Sequence, residues 1–165
     1  MKFFFVKKYL VLSILIFGMS TPLSFAHAET LPNLPVIPDI SCGISTGPTT
    51  FVPEGGSFQA ALNAANPGDT ITLQAGATYV GKFMLPAKVG NECITIRTNA
   101  PDSALPAPGQ RITPAYASVL PKIVAPGLNE SAIRTALGAH HYKFIGVEIT
   151  KKDEAAYTSS LIEIG

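Results

Sequence analysis

The segment His140 to Thr150, HHYKFIGVEIT, constrains the fold more than any other part of the chain. Tyr142 and Phe144 share one parity, and Val147 and Ile149 share the other. A flat strand sends alternate residues to opposite faces, so one strand would split these two apolar pairs. A bend at Ile145-Gly146 brings both pairs to one interior. Strand, bend and strand with a common inside form one coil of a β-solenoid.

Other segments fit that reading. Ser57 to Ala65 (SFQAALNAA) reads as a helix, with the Ser57 side chain placed to accept a backbone N–H as N-cap. Phe58, Ala61, Leu62 and Ala65 fall at i, i+3, i+4 and i+7 and make one apolar face. Asn66-Pro67-Gly68-Asp69 stops it, because Pro67 lacks a donor and Gly68 permits a tight turn.

Short strands follow. Ile71 and Leu73 alternate with threonines, as Ile94 and Ile96 alternate with Thr95 and Arg97. Tyr79 to Leu85 reads as one strand containing Gly81; Lys122–Ala125, Ala132–Leu137 and Ser160–Ile164 read as further ones. The spacings 94 − 71 = 23 and 147 − 123 = 24 agree loosely with a coil repeat. Thr98 to Pro121, with Pro101, Pro106, Pro108 and Pro114, interrupts the series as a surface insertion in which Thr113-Pro114 opens a short helical turn. A β-sandwich is the alternative that short strands and many turns also allow.

The start of the chain reads as an export signal. Lys2, Lys7 and Lys8 precede the apolar run Tyr9–Met19, and Ala26-His27-Ala28 is an A-x-A site, which sets cleavage between Ala28 and Glu29. The apolar run is shorter than the roughly 20 residues that span a bilayer, and no later segment spans one. Export gives Cys42 and Cys93 an oxidising destination and makes a disulfide the favoured reading, with two free thiols as the alternative. Such a bridge staples the Pro-rich lead-in to the body. The divisions are a signal peptide over 1–28, a lead-in over 29–50 and the body over 51–165.

Charge narrows the partners. Of 12 basic residues three lie in the signal, so 12 − 3 = 9 face 11 acidic ones after its removal. That balance argues against a nucleic-acid binder, which needs a clustered basic surface.

The run VPEGGSFQAALNAANPGDTITLQAGATYVGKFMLP (52–86) resembles the opening of right-handed parallel β-helix proteins of the pectin-lyase-like superfamily. The shared phrases are FQAALNAAxPGDTI and then G-x-x-Y-x-G-x-F, here Gly76, Tyr79, Gly81 and Phe83; HHYKFIGVEIT is similar to a later coil. The resemblance implies an all-β right-handed parallel β-helix, opened by a capping helix and followed by the first coils. The chain stops at Leu161–Gly165 inside an apparent strand, so it reads as the N-terminal part of a longer protein.

The resemblance further implies an exported protein acting on extracellular or cell-wall polysaccharide as a lyase or hydrolase. Calcium is a cofactor in some members. The catalytic residues are then expected beyond Gly165, and residues 29–165 alone are expected to be inactive. Noncatalytic carbohydrate-binding or surface solenoids, and structural spacers, are the alternatives.

Within these residues the candidates for chemistry are sparse. Glu148 and Glu163, outward on strands expected to be adjacent, could form a small acidic ladder for a hard cation. Solvated glutamates are the simpler reading. His140 and His141 read as loop histidines without an orienting partner, and Lys151–Glu154 as a solvated mixed-charge turn. Asn129-Glu130-Ser131 matches the N-glycosylation acceptor pattern.

Overall fold

The computed structural model describes Cys42, residues 45–152 and residues 157–165, all within one compact unit, Asp39–Gly165. The segment read as an export signal with its Ala28-Glu29 site, most of the segment read as a lead-in, and part of the 151–154 turn lie outside the described residues.

Among the described residues, ten strands and one α-helix are formed. A first strand, β1 (Thr49–Val52), precedes the helix α1 (Phe58–Ala64), and β2 (Thr70–Leu73), β3 (Thr78–Val80) and β4 (Phe83–Leu85) follow it. The next are β5 (Ile94–Thr98), β6 (Lys122–Ala125) and β7 (Ile133–Thr135). The last are β8 (Tyr142–Ile145), β9 (Glu148–Lys151) and β10 (Ile162–Glu163).

They make three sheets, ordered β1-β2-β5-β8, β3-β6-β9 and β10-β7-β4, and every pairing is parallel. From β2 onward the chain visits the first, second and third sheet in turn, three times over. A β-sandwich of the kind weighed above is antiparallel, so this architecture excludes it.

The register stacks like on like. Ile71, Ile96 and Phe144 form one inward column, Tyr79, Ile123 and Ile149 a second, and Phe83, Ile133 and Ile162 a third. Apart from Ile162, the residues of these columns belong to a single apolar core or pack against it. Ile96, Ile123 and Ile133 are fully buried at its centre, whereas Ile162, third in its column, is 47% exposed.

The expected spacings were short by two residues. Ile71 pairs with Ile96, not Ile94, and Ile123 with Ile149, not Val147, so the repeats are 96 − 71 = 25 and 149 − 123 = 26. The expected strand Tyr79–Leu85 is also two strands in different sheets, because the chain turns at Gly81-Lys82. At Gly81 an added Cβ would lie 2.9 Å from the tip of the Phe83 ring, so a side chain at that corner would force the ring to shift.

The bend at Gly146 is present. Its φ of +60° is the left-handed region that glycine adopts without a steric penalty. Tyr142, Phe144, Val147 and Ile149 all pack against the core from the two sides of this corner. The insertion carries two short 3-10 turns, Asp102–Ala104 and Pro114–Tyr116; the second is the turn expected at Thr113-Pro114. Thr98 holds both roots of the insertion: its hydroxyl donates to the Val119 carbonyl at 2.6 Å and accepts the Ala100 N–H at 3.1 Å.

The helix closes the end of the core next to β4. Ser57 Oγ accepts from the Ala60 N–H at 3.2 Å, and Phe58, Ala61, Leu62 and Ala65 are buried. Phe58 packs on Phe83 at 4.8 Å and on Tyr79 at 6.1 Å between ring centroids. Gln59 treats the free edge of β4 as a neighbouring strand would. Its amide oxygen accepts the Met84 N–H at 2.8 Å, and its amide nitrogen donates to the Met84 carbonyl at 2.9 Å. An unpaired strand edge is thereby blunted by one side chain.

Candidate binding groove

Parallel in-register strands also stack their outward residues into rows. On the first sheet these rows are Thr49–Thr70–Thr95–Lys143 and Phe51–Thr72–Arg97–Ile145. Three inter-strand spacings of about 4.8 Å make each row about 14 Å long.

Walls rise on both sides of this face. On one side stands the end of the lead-in. Ser45 Oγ lies 3.0 Å from Thr95 Oγ1, the Gly47 N–H reaches the Gly68 carbonyl at 3.1 Å, and the Thr70 N–H reaches the Pro48 carbonyl at 3.0 Å. Cys42 is disulfide-bonded to Cys93, with Cα atoms 5.2 Å apart, and this ties the lead-in down at the entrance to β5. On the other side stands the start of the insertion, Asn99 to Asp102. The Asn99 side chain accepts the Ala75 N–H at 2.8 Å, which fixes that wall to the turn after β2. The result is an open groove of about 610 Å³ that runs along the stacking direction.

The groove is polar and carries positive charge. Its floor presents the hydroxyls of Thr49, Thr70 and Thr72, each a donor and an acceptor, whereas Thr95 is buried with its hydroxyl bonded to Ser45. The Arg97 guanidinium is paired with Asp102 and also donates from Nε to the Thr98 carbonyl at 3.3 Å, so it is held in one orientation. Lys143 is exposed and, among the described residues, has no hydrogen-bond or ion-pair partner, so its ammonium is available to a ligand. Phe51, 51% exposed, heads the second row but is not among the residues lining the groove.

Comparison of the chain with family models, with characterised proteins and with solved structures returns no match. The reading of the site therefore rests on its own geometry.

The acidic pair suggested by the sequence is not assembled. Glu148 lies on the second sheet, 3.9 Å from Lys122, and Glu163 on the third, 2.6 Å from Arg134. Consecutive strands here enter different sheets, so residues that look adjacent in sequence face different sides of the molecule. Among the described residues, no three His, Cys, Asp or Glu side chains gather as metal ligands.

His140 and His141 are exposed beside the start of β8, and Asn129 is exposed in the turn after β6 with a φ of +56°. No described helix is long and apolar enough to cross a membrane. The groove itself escaped sequence reasoning. Alternating Thr-Ile-Thr and Ile-Thr-Ile-Arg phrases announced the face, but Lys143 joins it only through the register between β5 and β8.

Proposed function

We propose that the chain is the N-terminal part of an exported right-handed parallel β-helix protein of the pectin-lyase-like kind, and that the groove on the first sheet holds a strand of extracellular or cell-wall polysaccharide. The observation that carries this reading is the groove floor. The accessible hydroxyls of Thr49, Thr70 and Thr72 suit a polymer of hydroxyls, and Lys143, which lines the same groove as Arg97, favours sugars that bear carboxylates. The disulfide and the three-sheet cycle of parallel strands support the exported β-helix. The partly exposed inward residues Phe144, Ile149 and Ile162 support further coils stacked on the last strands.

Lyase or hydrolase action in the full-length protein is one form of this function, and binding without turnover is the other. The second is favoured, for the described residues, by the carboxylates Asp102, Glu130, Glu148 and Glu163, each of which faces a lysine or arginine rather than another acid. Affinity gel electrophoresis through acidic and neutral polysaccharides, with and without calcium, tests the reading. The protein is expected to be retarded by a polyuronate more than by a neutral glucan. Lys143→Ala is expected to weaken that retention about fivefold, the worth of roughly 1 kcal/mol for one exposed charge contact. Equal migration with and without every polysaccharide, or a Lys143→Ala variant retained like the parent, would refute the groove as the site. Unsaturated products would identify a lyase.

A further inference from the structure

Consecutive side chains in extended backbone point to opposite sides. His140 and His141 break that rule. His141 has a φ of +59°, and the two rings lie on the same side, edge to face at 87° with centroids 4.5 Å apart. Their Nδ1 atoms face one another in hydrogen-bond contact.

The arrangement is held from both ends. The turn before it closes through the Ala139 N–H to the Ala136 carbonyl at 2.9 Å, with Gly138 at a φ of +77°. The His141 carbonyl accepts the Ile94 N–H at 2.9 Å, which anchors it to β5. Left-handed backbone at a residue other than glycine is unfavourable and persists only where its surroundings impose it. Here that backbone directs two exposed imidazoles at one point.

We propose that His140 and His141 form a bidentate bis-imidazole site for a divalent transition-metal ion, with Cu²⁺ the tightest. In the metal-free pair one Nδ1 carries the proton and the other accepts it. On binding, that proton moves to Nε2 of its own ring, so two neutral imidazoles present two Nδ1 lone pairs to the ion. A small rotation of either ring opens the separation needed for ligands at about 2.0–2.1 Å. Imidazole nitrogen suits copper, zinc and nickel, and affinity rises to Cu²⁺ along the first row. The positions left over on the ion remain open to water or to an outside ligand. Neither histidine is among the residues that line the polysaccharide groove.

Titration of the full chain with copper(II) chloride, followed by electron paramagnetic resonance, tests the proposal. The third histidine of the chain is His27, so the titration is run in a His27→Ala background. One copper equivalent is expected, with superhyperfine splitting from two nitrogens. His140→Asn and His141→Asn are each expected to weaken binding on the order of a hundredfold, because the second arm of a chelate acts at high effective concentration. Asparagine tolerates the left-handed region, so His141→Asn keeps the backbone, and unchanged circular dichroism verifies the fold. No binding, coupling to fewer than two nitrogens, or a double variant that binds copper as the parent does would overturn the proposal.

Discussion

Replacing Leu62 with aspartate puts a carboxylate where the cap helix meets the core. Leu62 is 0% exposed, and its neighbours there include the buried face residues Phe58 and Ala61. Two costs follow. Removing the leucine side chain costs about 2–5 kcal/mol, as for a buried leucine truncated to alanine. An aspartate buried without a partner keeps its proton in the folded state; holding it neutral at pH 7 against an ordinary pKa near 3.9 costs about 1.36 × 3.1, or roughly 4 kcal/mol. The sum of roughly 6–9 kcal/mol rivals the whole stability of a typical domain.

The sign of the pH dependence separates the two costs. The folded-state pKa is raised above the unfolded value. The charge penalty is therefore absent below about pH 4 and grows by about 1.36 kcal/mol per pH unit above it, until the folded pKa is reached. Leu62→Asn lacks this dependence. Because the chain has no tryptophan, urea unfolding is followed by far-UV circular dichroism, at pH 4 and pH 7, for parent and both variants. If Leu62→Asp unfolds at the parent's midpoint at pH 7, or shows no more pH dependence than Leu62→Asn, the cap does not seal the core as described.

Three other outcomes are expected. Gln59→Ala removes both hydrogen bonds to the Met84 backbone and should lower stability by about 1–2 kcal/mol, read as a shift in urea midpoint at constant slope. Serine at both Cys42 and Cys93 opens a 51-residue loop and should cost about 4 kcal/mol, against which an unchanged midpoint would count. Burial raises the Tyr142 phenol from 10.0 to about 12, where its hydroxyl also donates to the Pro86 carbonyl at 2.6 Å. The folded state therefore holds that proton longer than the unfolded chain does. The associated stability is fully present below about pH 10 and is lost as pH rises towards about 12, and Tyr142→Phe should remove that part of the alkaline loss.

Much of the fold was legible because local signals and packing agree. The Ser57 cap, the Phe58-Ala61-Leu62-Ala65 face and the Gly146 corner each follow from residues close in sequence, and each forms as read. The repeat lengths were less legible. Ile94 and Ile96 are both apolar, both inward and both buried, so composition cannot say which of them stacks on Ile71. Only the hydrogen-bond register decides. The corner at Gly81-Lys82 was missed because apolar residues flank it on both sides.

Thr95 shows why the groove was hidden. By alternation it points outward, yet it is buried, because Ser45 from fifty residues earlier lies over it. A contact between segments so distant has no signature in either one. The same holds for Glu148 and Glu163, whose partners Lys122 and Arg134 are set by the pairing of parallel strands rather than by neighbours in the chain.

The central claim is that the chain winds through three parallel sheets with its strands stacked in register. Methyl-labelled NMR tests it most directly, because stacked side chains on neighbouring strands sit about 4.8 Å apart. The account predicts nuclear Overhauser contacts from Ile71 to Ile96, from Ile123 to Ile149 and from Ile133 to Ile162. Absence of these contacts, or cross-strand patterns diagnostic of antiparallel pairing between the same segments, would contradict it.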